Sequence, residues 1–376
     1  MKILYTATVL SHICQFHLPH LKMLKDKGHE VHVAARNNLA EKNGLQLRFA
    51  DRFIEIPFER MPFHLRNLKA YRMLKRLIDA EGYDLIVCNT PVGGILTRLA
   101  ARKARGKGTK VIYMAHGFHF CKGAPRKNWL VYYPLEKWMS RLCDAVITIN
   151  EEDYQLARSR FPGRVEHIHG IGVDSERFHP VSREERSAMR RRAGLTDEDY
   201  VVLCTGELND NKNQKTLISA AAQLKDEIPN LKVLLAGNGP KEQELRAQIK
   251  ADGLEEIVRL LGYRTDLEQF VPMVDLVSSC SRREGLPLNI VEAMLCAKPI
   301  VASVNRGHRE LVRDGESGFL VPPDDIDAYA EAIRVLFADR ERAVQYGMAG
   351  YLAAKQYTVS SVKDELSSIL DNVMNH

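Results

Sequence analysis

The chain has 376 residues, of which 45% are hydrophobic and 27% charged, and a formal net charge of +6. These proportions exclude a disordered or fibrous protein, and the length suggests two domains of ordinary size. The mild basic surplus suits acidic partners, such as nucleotide phosphates or an anionic membrane surface, without selecting one; no apolar run approaches the roughly 20 residues of a spanning helix.

In chain order, the first half alternates short apolar runs with helical patterns. Ile3 to Thr8, Val31 to Ala34, Leu85 to Cys88, Val111 to Ala115 and Ala145 to Ile149 read as buried parallel strands. His20 to Lys25 and Thr97 to Lys103 carry helical spacing. The N-terminal run soon turns polar at Ser11-His12, so it reads as a first strand and not a signal peptide. Pro62 to Ile78 predicts an amphipathic helix, with Leu68, Tyr71, Leu74, Leu77 and Ile78 in one apolar stripe and Arg66, Lys69, Arg72, Lys75 and Arg76 crowding the rest. That pattern fits a domain helix with its basic face in water, an interfacial helix on anionic lipid, or both.

Gly170 to Asp174 and then Phe178-His179-Pro180 supply the Gly and Pro expected where one domain hands over to the next. Arg183 to Arg192 follows as a charged helix expected to face solvent. A second strand series comprises Tyr200 to Thr205, Leu231 to Ala236, Ile257 to Leu261, Leu276 to Ser279, Ile300 to Ser303 and Phe319 to Val321, with helices such as Lys241 to Lys250 and Ile326 to Phe337 between. The alternation predicts an α/β protein with two similar doubly wound parallel sheets. The tail from Ala343 to Met374 reads as helical and is expected to pack back. The expected divisions are 1–175, 176–345 and 346–376.

The most specific chemical signal is Glu284-Gly-Leu-Pro-Leu-Asn-Ile-Val-Glu292, two carboxylates eight positions apart across a Gly/Pro turn that opens a helix. It follows a strand, where doubly wound sheets bind ligands. Backbone N–H groups at the helix start can hold a diphosphate, and carboxylates accept hydrogen bonds as sugar hydroxyls require. A ligand with both phosphate and hydroxyls is implied, such as a nucleotide sugar. Lys212, after another strand, can offer a point charge to a diphosphate. Gly237-Asn238-Gly239 forms a turn allowing close backbone approach to a ligand; it lacks the third glycine of a dinucleotide fingerprint. Tyr263 and Arg264 stand at a strand end, either meeting a base or lying at the surface. These strand-end loops together predict a cleft. His116 follows a strand directly and is expected to face it, and Ser11-His12 lies where a phosphate or acceptor could meet backbone N–H groups.

No bound metal is indicated. Asp197-Glu198-Asp199 precedes a strand instead of following one, and Asp324-Asp325-Ile326-Asp327 reads as a helix cap. His116, His119 and Cys121 do not obviously converge. The seven cysteines are scattered, with no Cys-x-x-Cys, so no disulfide framework or zinc cluster is expected.

The chain resembles the retaining, nucleotide-sugar-dependent glycosyltransferases of family 4, with the GT-B fold of two Rossmann-like domains facing a cleft. The resemblance rests on the His116 loop, Gly170 to Asp174, Lys212, the glycine turn and Glu284 to Glu292. Ser11 to Pro19 and His116 to Pro125 look like the branch that builds bacterial capsular and exopolysaccharide repeat units on a lipid diphosphate carrier. The resemblance implies an N-terminal acceptor domain, a C-terminal nucleotide-sugar domain and tail helices returning to the first. It implies that Glu284 binds hydroxyls of the transferred sugar and Glu292 the ribose, that Lys212 with the backbone at Leu288 and Asn289 binds the diphosphate, and that His116 sits beside the reacting carbon. It also implies metal-independent chemistry with no cofactor. Two departures stand out: Glu207 occupies a position where many relatives carry arginine, and Ser11-His12 replaces a usual Gly-Gly pair.

The expected function is therefore transfer of a hexose or N-acetylhexosamine from a UDP-sugar to a lipid-diphosphate-linked sugar in polysaccharide biosynthesis. The expected place is cytoplasmic, peripheral on the inner face of the plasma membrane, with no nucleic-acid partner. A GT-B nucleotide-sugar epimerase and a non-catalytic nucleotide-sugar scaffold are the alternatives.

Overall fold

The computed structural model describes residues 1–41, 44–62 and 64–375. The chain forms two compact units, Met1–Gly172 with Val359–His376, and Val173–Thr358. The first contains β1 (Lys2–Val9), β2 (Glu30–Arg36), β3 (Arg52–Glu55), β4 (Leu85–Asn89), β5 (Lys110–Ala115), β6 (Ala145–Thr148) and β7 (Val165–His167). They pair in the order β3-β2-β1-β4-β5-β6-β7, all parallel. The order reverses between β1 and β4, so the chain segments leaving these strands diverge and open a crevice at their carboxyl ends. The second unit contains β8 (Tyr200–Thr205), β9 (Leu231–Ala236), β10 (Val258–Gly262), β11 (Leu276–Ser279), β12 (Ile300–Ser303) and β13 (Gly318–Val321). Its parallel order is β10-β9-β8-β11-β12-β13, reversing between β8 and β11.

The apolar runs become central strands because helices cover both faces of each sheet; β4 and β8 are buried along their whole length. The sequence reading missed β3 and β7. Both are short, half-buried edge strands with no continuous apolar run to mark them.

Three expectations need correction. The charged helix Arg183–Arg192 does not simply face solvent. Arg190 is buried, donating to Asp275 Oδ2 at 2.7 Å and to the carbonyls of Met273 and Asp199 at 2.9 and 2.8 Å, while Arg186 reaches Asp275 Oδ1 at 2.8 Å. Charge density alone did not reveal that Asp275 would wait beneath the helix. The tail also divides later than 345. Helix Arg340–Ala354 stays with the second unit because it packs on helix Leu288–Leu295, so closely that a Cβ on Gly347 would lie 2.1 Å from the Ala297 carbonyl oxygen. Only helix Val359–Met374 joins the first unit, where it packs on helix Leu18–Asp26 and Glu365 accepts from the His169 backbone N–H at 2.9 Å.

The third concerns helix Arg66–Glu81. Its buried face is Asn67, Ala70, Leu74 and Ile78, with Tyr71 and Leu77 partly buried against the core. Leu68 leaves the expected stripe and is 51% exposed beside Arg66, Lys69 and Arg72. Asn67 takes the inner position because its side chain accepts from Glu59 N–H at 2.9 Å and donates to the Met61 carbonyl at 2.8 Å, tying the preceding loop to the helix.

Candidate functional site

In the second unit, the segments leaving β8 and β11 flank the reversal of strand order. Gly206 closes β8, and the loop beyond it returns Lys212 so that its Nζ lies 2.7 Å from Glu284 Oε1. The Lys212 N–H donates to Asn209 Oδ1 at 2.9 Å, which shapes the turn. Both charged groups are only partly exposed, so each holds the other in place at the mouth of the sheet. A lysine and a carboxylate at this position can meet a phosphate and a sugar hydroxyl respectively.

The turn after β11 leads into helix Leu288–Leu295 through Pro287, which is in extended conformation at the N-cap, with no side chain capping the helix. Leu288 and Asn289 therefore begin the helix with backbone N–H groups that have no partner within it, the arrangement that attracts anions. Asn289 is fixed by donating from Nδ2 to the Thr205 carbonyl at 3.2 Å, which joins this helix start to the end of β8.

The glycine turn has a packing role of its own, apart from the ligand approach expected of it. A Cβ on Gly237 would lie 2.0 Å from the Gly206 carbonyl oxygen, and one on Gly239 2.4 Å from the Leu208 carbonyl oxygen. The close backbone neighbour is thus the loop after β8, and Leu208 N–H donates to the Asn238 carbonyl at 3.0 Å. These glycines let two strand-end loops lie side by side under Lys212. Beyond them, Tyr263 is 60% exposed, and Arg264 is held by Asp266 at 2.8 and 2.5 Å and lies over the Phe270 ring.

Glu292 is one turn into its helix. Burial raises its carboxyl to about 7, with Arg177 opposing the rise and Glu268 adding to it. Glu207 is exposed and accepts from Asn209 Nδ2 at 3.1 Å. Three residues of this unit escaped the sequence reading. Arg306 Nε donates to the Glu284 carbonyl at 3.3 Å, Gly307 sits where a Cβ would come within 2.9 Å of Glu284 Cβ, and His308 is buried with Nδ1 2.6 Å from the Ser303 carbonyl oxygen. Burial lowers the His308 imidazole to about 4 and keeps it neutral. Asn305 ahead of them, capping the helix from its side chain, is the signal that could have marked this loop.

In the first unit, His116 follows β5, and Ser11 and His12 follow β1 in helix Leu10–Phe16. Asn38 clamps Ser11, its Oδ1 accepting from Ser11 N–H at 3.0 Å and its Nδ2 donating to Ser11 Oγ at 2.9 Å. That leaves the Ser11 N–H committed within the protein. His116 does not meet His119 and Cys121 in a cluster; its ring instead stands edge-on to His12 and His17, at 4.5 and 4.9 Å between centroids. Burial, followed by the neighbouring imidazoles, pushes His116 and His17 well below the usual histidine range, and burial lowers His12 to about 4. None of the seven cysteines is in a disulfide, and six are buried.

Two family models divide the chain between them: Glycosyltransferase Family 4 matches residues 20–177 and Glycosyl transferases group 1 matches residues 185–353. EpsD of Bacillus subtilis (strain 168), named as a glycosyltransferase, is 45% identical over 376 residues, covering 100% of this chain and 97% of that protein. The chain belongs to the family 4 glycosyltransferases. This glycosyltransferase is also 28% identical over 276 residues to the UDP-Gal:alpha-D-GlcNAc-diphosphoundecaprenol alpha-1,3-galactosyltransferase of Escherichia coli, covering 72% of this chain and 70% of that one. Among solved structures, Anabaena Alr3699/HepE in complex with UDP superposes with a TM-score of 0.77 at 25% identity, covering 99% of this chain and 100% of that one. The glycosyltransferase has the GT-B fold. Among its described residues, no helix is long and apolar enough to cross a membrane.

Proposed function

We propose that this glycosyltransferase moves a hexose or N-acetylhexosamine, with retention, from a UDP-sugar to a lipid-diphosphate-linked sugar during polysaccharide biosynthesis. The observation that carries the reading is the Lys212–Glu284 pair, 2.7 Å apart beside a helix start with unsatisfied N–H groups. Donor binding would break that ion pair, Lys212 turning to the diphosphate and Glu284 to sugar hydroxyls, while Leu288 and Asn289 N–H groups meet the phosphates. Glu292 would take the ribose, and Tyr263 and Arg264, just after β10, would serve the base. His116 is assigned to the sugar end of the reaction by resemblance. In same-face substitution the leaving diphosphate accepts the acceptor's proton, so the protein contributes charge stabilisation and positioning.

Named relatives support the donor and acceptor class: one solved structure holds UDP, and the Escherichia coli relative is named for a UDP-sugar and a diphosphoundecaprenol-linked acceptor. The membrane part of the reading is supported by Met61, Leu65 and Leu68, exposed by 72, 86 and 51%, next to Arg66, Lys69 and Arg72. Apolar side chains in water flanked by cations fit an anionic lipid surface.

The test is a panel of UDP- and GDP-sugars with lipid-linked acceptors, read by nucleotide release and by the anomeric configuration of the product. Release of UDP is expected from one UDP-sugar only when acceptor is present, and Lys212→Ala or Glu284→Ala should each reduce it at least 100-fold, about 2.7 kcal/mol of transition-state stabilisation. Turnover undiminished in both variants would remove the donor assignment. Isomerisation of the UDP-sugar without acceptor would favour an epimerase instead.

A further inference from the structure

Helix Arg340–Ala354, in the second unit, leaves a row of large apolar side chains in water. Its inner face is spent on its own unit: Tyr346, Gly347, Gly350 and Ala354 are buried, and a Cβ on Gly350 would stand 3.5 Å from Met294 Cγ of helix Leu288–Leu295. On the outer face Val344, Met348 and Leu352 are exposed by 65, 45 and 60%. Their spacing of four stacks them on one side of the helix. Apolar side chains grouped in this way mark a surface that a partner covers.

We propose that this face pairs with the same face of a second copy of the chain, the two helices running antiparallel about a two-fold axis at Met348. The charges select that partner. Glu341 precedes Met348 by seven residues and Lys355 follows it by seven, and both are exposed. Seven residues are close to two turns, so the acid and the base stand on the apolar side, one at each end. Glu341 Oε1 accepts from Gln345 Nε2 at 3.3 Å, and Lys355 Nζ lies 5.4 Å from the centre of the Tyr351 ring, which keeps both along the outer side.

In an antiparallel pair, a residue some positions before the axis meets the residue as many positions after it on the other copy. Met348 then meets Met348, Val344 meets Leu352, and Glu341 meets Lys355, the last two contacts each made twice. A parallel pair would set Glu341 on Glu341 and Lys355 on Lys355. Self-complementarity about a central apolar residue is what an isologous interface requires. An anionic lipid surface calls instead for cations all along the rim, as around Leu65 and Leu68. The helix has 15 residues and is about 22 Å long. One such face falls short of the roughly 800 Å² per partner of a standard interface, so the dimer is weak, with a Kd of about 10–100 μM.

The experiment is sedimentation velocity on the full chain from about 5 to about 500 μM, which brackets that Kd. A monomer–dimer equilibrium is expected. Met348→Glu sets two carboxylates face to face at the axis and should raise Kd at least 10-fold, about 1.4 kcal/mol; because Met348 is half-exposed, the variant should melt as the unaltered protein does. Glu341→Lys and Lys355→Glu should each weaken the dimer about 3–10-fold. The protein carrying both changes should regain the original affinity, because the exchange restores each pair. Thermal melts identify any variant that fails to fold. Met348→Cys should form a disulfide-linked dimer with oxidised glutathione, whereas Leu130→Cys, at an exposed position of the first unit, should not. A monomer at every concentration, a dimer indifferent to Met348→Glu, or linkage through Leu130→Cys instead of Met348→Cys would overturn the pairing. A monomer whose binding to anionic vesicles falls in Met348→Glu would give the face to lipid. Because the readout is mass and not sugar transfer, this result is separate from that of the donor assignment.

Discussion

Replacing Glu292 by glutamine should stabilise the second unit, and the gain should grow with pH. Burial lifts the Glu292 carboxyl from 4.5 to about 7. With its folded pKa above its unfolded one, the native protein binds more protons than the unfolded chain between those values. Its contribution to stability is therefore fully present below about pH 4.5 and lost as pH rises through about 7. A rise of that size is worth about 3 kcal/mol, which solvent screening at a half-buried side chain reduces to about 2 kcal/mol. Glutamine keeps the shape without the charge and has no such loss. For a unit of this size, about 2 kcal/mol corresponds to a Tm difference of roughly 4–8 °C. The assay is differential scanning calorimetry of both proteins, without ligand, from pH 5 to pH 8.5. The Tm gap should be small at pH 5 and reach its full value above pH 7.5. A gap that does not change with pH would show that Glu292 is not desolvated and would sink the reasoning.

Gly237→Ala should cost about 2–4 kcal/mol, combining overpacking with a strained backbone, because its Cβ would meet the Gly206 carbonyl oxygen at 2.0 Å and its φ is +154°. Urea unfolding measures this, and a change below about 0.5 kcal/mol would mean the two loops are not in contact. Co-sedimentation with anionic vesicles should fall when Lys69, Arg72, Lys75 and Arg76 become glutamate, and also for Leu65→Ser with Leu68→Ser. Since those leucines are exposed, the serine variant should retain stability within about 0.5 kcal/mol. Unchanged sedimentation in both would make the patch a solvated face.

Much of the architecture was legible because a strand covered on both faces must be apolar along its length, as β8 and β4 are. The edge strands β3 and β7, half in water, left no such trace. The donor-side residues were legible singly, since Glu284, Lys212 and the helix start at Leu288 stand just after strands, and parallel sheets bring strand ends to one edge. The pairing of Lys212 with Glu284, the packing reason for Gly237 and Gly239, and the part played by Arg306 to His308 were not. Each depends on a loop meeting another loop far along the chain.

The histidines make the same division plainest. By itself, the sequence determined the alternation of strand and helix, hence two parallel α/β units, and it placed His12 and His116 after strands. Local periodicity is enough for that, because burial of each element is a property of consecutive residues. Only the tertiary structure decided that His116 would meet His12 and His17 instead of His119 and Cys121. Strand order is set by how sheets pack and not by chain order, and it put β1 and β5 on either side of β4, bringing imidazoles about a hundred residues apart into contact.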